Sequence, residues 1–284
     1  MSIVVTATSG HLGRLTVHSL LSRGTNPADI VATARSLESI KDLADAGVRT
    51  AVLDYDQPDT VTAAVNQGDT LVLISGSDMT KRDRQHADVI AAAASAGAGH
   101  LVYTSGLRAA ESPSPIAASH AVTEDAVRAS ALPFTVLRMG WYTENYEHSI
   151  PAVRASGVLL SSVGDGRVAS ATRQDLAEAT AVVVTTDGHH GKTYELSGDT
   201  AWSYDDLAAA LSDVLGRDVI HHSVTPEQHL QTVVGAGVPE PMAQMIVGAD
   251  AGIASGAFAY TNGDLSRLLG RPTTPLVDGL RPLV

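Results

Sequence analysis

Six short apolar runs, SIVVTA, DIVATAR, RTAVLD, TLVLISG, HLVYTSG and FTVLRMG, recur through the first half of the chain. Amphipathic or alanine-rich stretches separate them, and glycine follows most of those stretches, as a helix C-terminus prefers. Strands apolar on both faces and alternating with helices are the pattern of a parallel sheet covered on both sides. The expected fold is therefore α/β, a Rossmann-type doubly wound parallel sheet over residues 1–145. Beyond Asn145 the pattern changes. IPAVRASGVLLSSVGDGR reads as loop-rich, RQDLAEATAVVVTT as a helix, KTYELSG as a strand, and SYDDLAAALSDVLG as a helix capped by Ser203. With no low-complexity linker in between, residues 146–284 are expected to form a smaller α/β subdomain interleaved with the first.

Bulk properties exclude several classes. Cysteine is absent, which removes disulfides, thiolate metal sites and cysteine nucleophiles, so any redox chemistry must come from a bound cofactor. A formal net charge of -12 disfavours nucleic acid and anionic membranes as partners. No apolar run approaches the roughly 18 residues of a membrane span, and the start MSIVVTATSG lacks a basic n-region. The expectation is a cytoplasmic protein acting on a small molecule. The adjacent pairs His189-His190 and His221-His222 lack a third ligand at short spacing, and no metal site is expected.

After the first apolar run comes Ala7-Thr8-Ser9-Gly10-His11-Leu12-Gly13. Glycines in such a loop serve the sharp turn, the close approach of a pyrophosphate and helix-to-strand packing, and the following helix N-terminus offers free N–H groups to anionic oxygens. Two of the three glycine positions survive. Alanine at position 7 is expected to cost about 1 kcal/mol if its φ is positive, with Thr8 and Ser9 compensating through their hydroxyls. The competing reading is a tight turn in a fold that has lost its cofactor. At the end of the second strand, where an acidic residue would hold the ribose diol of NAD, the chain has Arg35. That points to a 2′-phosphate and hence NADP(H), against the plain alternative of a solvated arginine.

Taken together, TATSGHLG, ATAR, LVLISGSD, RQHADVIAAAASAGAGHLVYTSGL, LRMGWYTENY, GDGRVASATRQDLAEA and GKTYELSGD resemble the NmrA-like branch of the atypical short-chain dehydrogenases, most nearly its NADPH-dependent quinone oxidoreductases. The resemblance implies cofactor contacts at Thr8, Ser9, Gly10, His11 and Leu12, at Arg35, and at Ser75 and Gly76. It further implies contacts at Gly140, Trp141, Tyr142, Thr143 and Glu144, and at Arg173. It also implies a catalytic role for Asn145 and the possibility of a homodimer. Two positions depart from the pattern: Ala7 stands where the family has its first loop glycine, and Met139 where it has asparagine.

No Tyr-x-x-x-Lys pair occurs; His120-Ala-Val-Thr-Glu124 has its spacing. Glu124 one helical turn on would raise the imidazole pKa and make His120 a proton donor, or the two form a partly exposed pair with no catalytic role. Quinones need no strong acid, because the hydroquinone anion is stabilised by a hydrogen bond alone, which an amide such as Asn145 supplies. Trp141, Tyr142 and Tyr146 are either flat walls of the acceptor site or core aromatics. The leading function is an NADPH-dependent oxidoreductase passing hydride to a quinone or similarly activated acceptor. The alternatives are a non-catalytic NADP-binding redox sensor and a specialised ketone or enone reductase.

Overall fold

The computed structural model describes residues 1–111 and 115–284. In chain order the first elements are β1 (Ile3–Val5), α1 (His11–Ser22), β2 (Ile30–Ala34), α2 (Lys41–Asp45), β3 (Arg49–Val52) and α3 (Pro58–Ala64). Then follow β4 (Thr70–Leu73), α4 (Arg82–Ser95), β5 (His100–Gly106), α5 (Pro115–Ala129), β6 (Phe134–Met139) and α6 (Ile150–Ser156). The remainder comprises β7 (Val158–Ser161), β8 (Arg167–Val168), α7 (Arg173–Thr185), β9 (Lys192–Leu196), β10 (Trp202–Ser203) and α8 (Tyr204–Leu215). It ends with β11 (Ile220–Ser223), α9 (Pro226–Gly235), α10 (Glu240–Ala254), α11 (Asp264–Leu269) and α12 (Leu276–Leu280).

The six apolar runs become β1 to β6, and with β9 they build a seven-stranded sheet in the order β3-β2-β1-β4-β5-β6-β9. Every pairing in it is parallel. Alternation sends Val4, Leu71, Leu101 and Tyr103 into one core, shared with Val61 of α3, Val89 and Ile90 of α4 and Val127 of α5. Their neighbours Val5, Val72 and Val102 face the other way and are equally buried. The strand order reverses between β1 and β4, and in open parallel sheets ligands bind beyond the strand C-termini at such a point.

Packing divides the chain into two units, residues 1–139, 173–196 and 267–270 in the first, and 140–172, 197–266 and 271–284 in the second. The division places 140–145 with the second unit and 173–196 with the first, because β9 pairs with β6 from Thr135↔Lys192 to Met139↔Leu196 and α7 packs on α1. KTYELSG is thus the seventh strand of the main sheet. Its partner lies more than fifty residues earlier, a pairing that local pattern cannot show.

The stretch expected to be loop-rich contains α6, β7 and β8, which corrects that reading. β7 owes its existence to parallel pairing with β11, from Val158↔Ile220 to Ser161↔Ser223, again a distant partner. Ser203 caps α8 as expected: its hydroxyl accepts from the Asp206 N–H while the Asp206 carboxylate accepts from the Ser203 N–H. The second unit's core is aromatic and aliphatic, with Trp202, Tyr204, Leu207 and Leu211 against Tyr146, Val163 and Ile253.

Candidate cofactor site

Ala7 has φ +51°, so the loop after β1 makes the left-handed turn for which glycine is ordinarily selected. Gly13 is demanded by packing. A Cβ there would stand 2.6 Å from the Ala7 carbonyl oxygen and 2.9 Å from that of Thr6, so only a bare Cα lets α1 sit this close to the end of β1. Gly10 is the N-cap of α1 in extended conformation, with no side chain capping the helix and no acidic residue in its first turn. The α1 N-terminus therefore presents the positive end of its dipole with no capping side chain and no carboxylate in its own first turn.

Thr8 is hydrogen-bonded within the fold through its hydroxyl, as expected of a residue that steadies the turn at Ala7. Its N–H and hydroxyl both donate to the Thr33 carbonyl on β2, at 2.9 and 3.0 Å. Ser9 and His11 are exposed, and Leu12 is buried. Arg35, just past β2, is exposed and has no hydrogen-bond or ion-pair partner among the described residues. Its neighbours in charge are engaged: Arg14 pairs with Asp42, and Lys41 with Asp45.

The His120–Glu124 pair is not formed, which corrects the expectation of an imidazole made acidic by a carboxylate. Glu124 is buried and accepts instead from Ser105 (2.6 Å), Arg138 (2.8 Å) and Arg128 (2.7 Å). Burial alone would raise its pKa, but these donors outweigh it and hold the carboxyl below its ordinary value. Arg138 on β6 also reaches Glu195 on β9 at 2.8 Å. Ser105 thus serves a buried ion network.

His120 is buried, and burial together with nearby Arg82 lowers its pKa to about 4, against the weaker pull of Glu124. A guanidinium can only donate, so Arg82, 3.5 Å away, takes the lone pair of Nε2. The ring proton is then on Nδ1 and donates to the Tyr103 hydroxyl at 2.7 Å. Both nitrogens are committed inward. On α4, Arg82 and His86 lie one turn apart and hold the two ends of Gly76: Arg82 Nε donates to its carbonyl (2.7 Å) and its N–H donates to His86 Nε2 (3.0 Å). Neither residue stood out in the sequence. The available signal was a charged and an imidazole side chain on the face of an alanine-rich helix that also carries its buried Val89 and Ala93.

In the second unit, Tyr142 bridges to Ala171 and leads into a 3-10 helix over Thr143–Ser149. Thr143 is buried, with its hydroxyl 2.8 Å from that of Ser170. Glu144 is partly exposed, and Asn145 is exposed with its N–H on the Tyr142 carbonyl. Tyr146 settles as a core aromatic: it is buried, edge-on to Trp202, with its hydroxyl 3.4 Å from that of Tyr204. Trp141 packs on Phe258, with ring centres 5.0 Å apart, while remaining partly exposed, as do Tyr142 and Gly140. In the first unit Arg173 opens α7, and Met139 is buried on β6. The second unit holds a cleft of about 700 Å³ whose lining includes Arg167, Asp199, Trp202 and Thr273 but none of the expected site residues. His189 and His221 bind Tyr194 and Ser161, both at 2.8 Å.

A parallel sheet with a glycine-containing βα turn, a helix N-terminus beside it that no side chain caps, and an arginine after the second strand with no partner among the described residues define a dinucleotide-binding protein. Residues 8–187 match the NAD(P)H-binding family. The chain is 38% identical over 282 residues to quinone oxidoreductase 2 of Escherichia coli, covering 99% of this chain and 98% of that one. The crystal structure of NADPH-dependent quinone oxidoreductase from Escherichia coli complexed with NADPH superposes with a TM-score of 0.93 at 38% identity, covering 99% of both chains. That of Citrobacter sp. triphenylmethane reductase complexed with NADP(H) gives 0.94 at 38% identity, covering 100% of both. The chain belongs to the NAD(P)H-binding family. No helix among the described residues is long and apolar enough to cross a membrane.

Proposed function

We propose that the protein is an NADPH-dependent oxidoreductase that passes hydride to a quinone or similarly activated acceptor. The observation carrying this is Arg35, exposed and without a partner among the described residues, where an NAD-specific chain would present a carboxylate. The names of its relatives, a quinone oxidoreductase at 38% identity and an azoreductase at 30%, support the acceptor class.

When bound, the cofactor supplies the hydride. Ser9, Gly10, His11 and Leu12 would present the α1 N-terminus and the exposed Ser9 hydroxyl to the pyrophosphate. Thr8 would contribute by fixing the turn to β2. Arg35 would grip the 2′-phosphate, and Ser75 and Gly76 would border the cofactor. Gly140, Trp141, Tyr142, Thr143, Glu144 and Arg173 are assigned to the nicotinamide half. The Asn145 amide would donate to the acceptor oxygen as negative charge develops there. His120 is assigned a positioning role, since both its nitrogens are engaged and it stays neutral down to about pH 4. An amide such as that of Asn145 suits a quinone, whose reduced anion needs only a hydrogen bond, better than a simple ketone, which needs a proton.

Calorimetric titration with both cofactors tests the reading. A charge-assisted phosphate contact should favour NADPH over NADH by about tenfold to a hundredfold. Equal affinities would contradict it.

A further inference from the structure

β4 ends at Leu73, yet the next three residues are fixed by side chains in place of a ladder. The N–H of Ile74 donates to Thr6 Oγ1 (2.9 Å), that of Ser75 to Thr104 Oγ1 (2.9 Å) and that of Gly76 to His86 Nε2 (3.0 Å). From the carbonyl side, Tyr55 donates to Ile74 (2.6 Å) and Arg82 to Gly76 (2.7 Å). Backbone donors at the C-terminal edge of a parallel sheet ordinarily remain for water or a ligand. Here all three are drawn inward.

His86 is the costly member of this set. It is fully buried on an alanine-rich helix, where an aliphatic side chain would pack without a desolvation penalty. Its ring is fixed in one tautomer. A backbone N–H can only donate, so Nε2 is unprotonated and Nδ1 donates to Thr123 Oγ1 at 3.0 Å, which itself donates to the Ser119 carbonyl at 3.2 Å. Burial, with Arg82 nearby, lowers its pKa to about 3, so that lone pair persists at neutral pH. Space does not explain the arrangement either: a Cβ at Gly76 would meet nothing nearer than 3.7 Å.

We propose that His86, together with Arg82, is a positioning residue for NADPH. The pair holds the main chain of Ser75 and Gly76 in the conformation that receives the cofactor, with the amide of Gly76 turned away from it. This rests on the NADPH reading above. The segment then binds by its shape and the Ser75 hydroxyl, and its order precedes the ligand.

The test is NADPH titration, with KM, kcat and Tm, on the wild type, His86→Leu, His86→Gln and Arg82→Met. His100→Leu is the structural control. His100 is also a buried histidine, hydrogen-bonded to Thr135 at 2.9 Å, but it stands at the opposite, N-terminal end of β5. His86→Leu and Arg82→Met should each raise the NADPH Kd and KM about tenfold, with kcat at saturating NADPH within about twofold. His86→Gln, whose amide oxygen can accept from Gly76, should return Kd to within about threefold of the wild type. His100→Leu should lower Tm and leave Kd unchanged. Wild-type affinity in both His86→Leu and Arg82→Met overturns the proposal, as does a glutamine variant no better than leucine, or a loss of affinity that follows Tm in the His100 control as well. A wild type that takes up no NADPH removes the cofactor reading instead, and this proposal with it.

Discussion

At the scale of single residues, Ala7 and Arg35 act in opposite ways. Ala7 carries its left-handed φ in the fold itself, a strain on the order of 1 kcal/mol that is present with or without a ligand. Ala7→Gly should therefore act on stability: relief of strain is partly offset by the greater entropy of the unfolded chain, leaving Tm equal or slightly higher and the NADPH Kd within about twofold. A large gain in affinity would mean that the methyl crowds the ligand. Arg35 has no partner to lose among the described residues, so Arg35→Ala should leave Tm unchanged, weaken NADPH by about tenfold or more, and hardly touch NADH. Parallel titrations of both cofactors decide it. Both residues were legible in the sequence, because each departs from a spacing-defined pattern. His86 and Arg82 were not, since their partner is the main chain of Gly76, and which side chain meets which backbone group follows only from how α4 docks beyond β4.

At the scale of elements, the contact between β1 and α1 is the one least able to yield. The Cβ of a Gly13→Ala variant would meet two backbone carbonyls, which cannot rotate away, so α1 must lift from the strand. The helix-propensity gain of alanine, about 1 kcal/mol, opposes this; overpacking against rigid backbone should exceed it and leave a net loss of about 1–2 kcal/mol, read as a lower midpoint in urea. Unchanged stability would show that α1 can shift freely. The six strands that alternate with helices were readable because each is apolar on both faces. β7 and β9 were harder: one was read as loop and the other as a strand of the smaller subdomain, because what defines them is a partner strand distant in sequence. The His120–Glu124 spacing misled for a related reason. Two residues one turn apart on a helix can meet, but Arg138 from β6 and Ser105 from β5 offer Glu124 stronger partners.

At the scale of the whole molecule, the buried histidines set a pH limit. His86, His100 and His120 have folded-state pKa values of about 3, 4 and 4, each lowered chiefly by burial, against an unfolded value near 6.5. Between about pH 4 and 6.5 the unfolded chain binds more protons, so stability should fall as pH drops through that window and level off above it. Thermal melts should show this, with a shallower slope in His100→Gln; a Tm flat from pH 7 to 4.5 would contradict these assignments. In the proposed function, Asn145 is the group assigned to the acceptor. The most direct test of the account is therefore NADPH consumption on adding a quinone, compared between the wild type and Asn145→Ala. Turnover by the wild type is expected, with a kcat lower by roughly a hundredfold in the variant and an NADPH Kd unchanged from the wild type. Bound NADPH that no quinone consumes, or full turnover by Asn145→Ala, would contradict this.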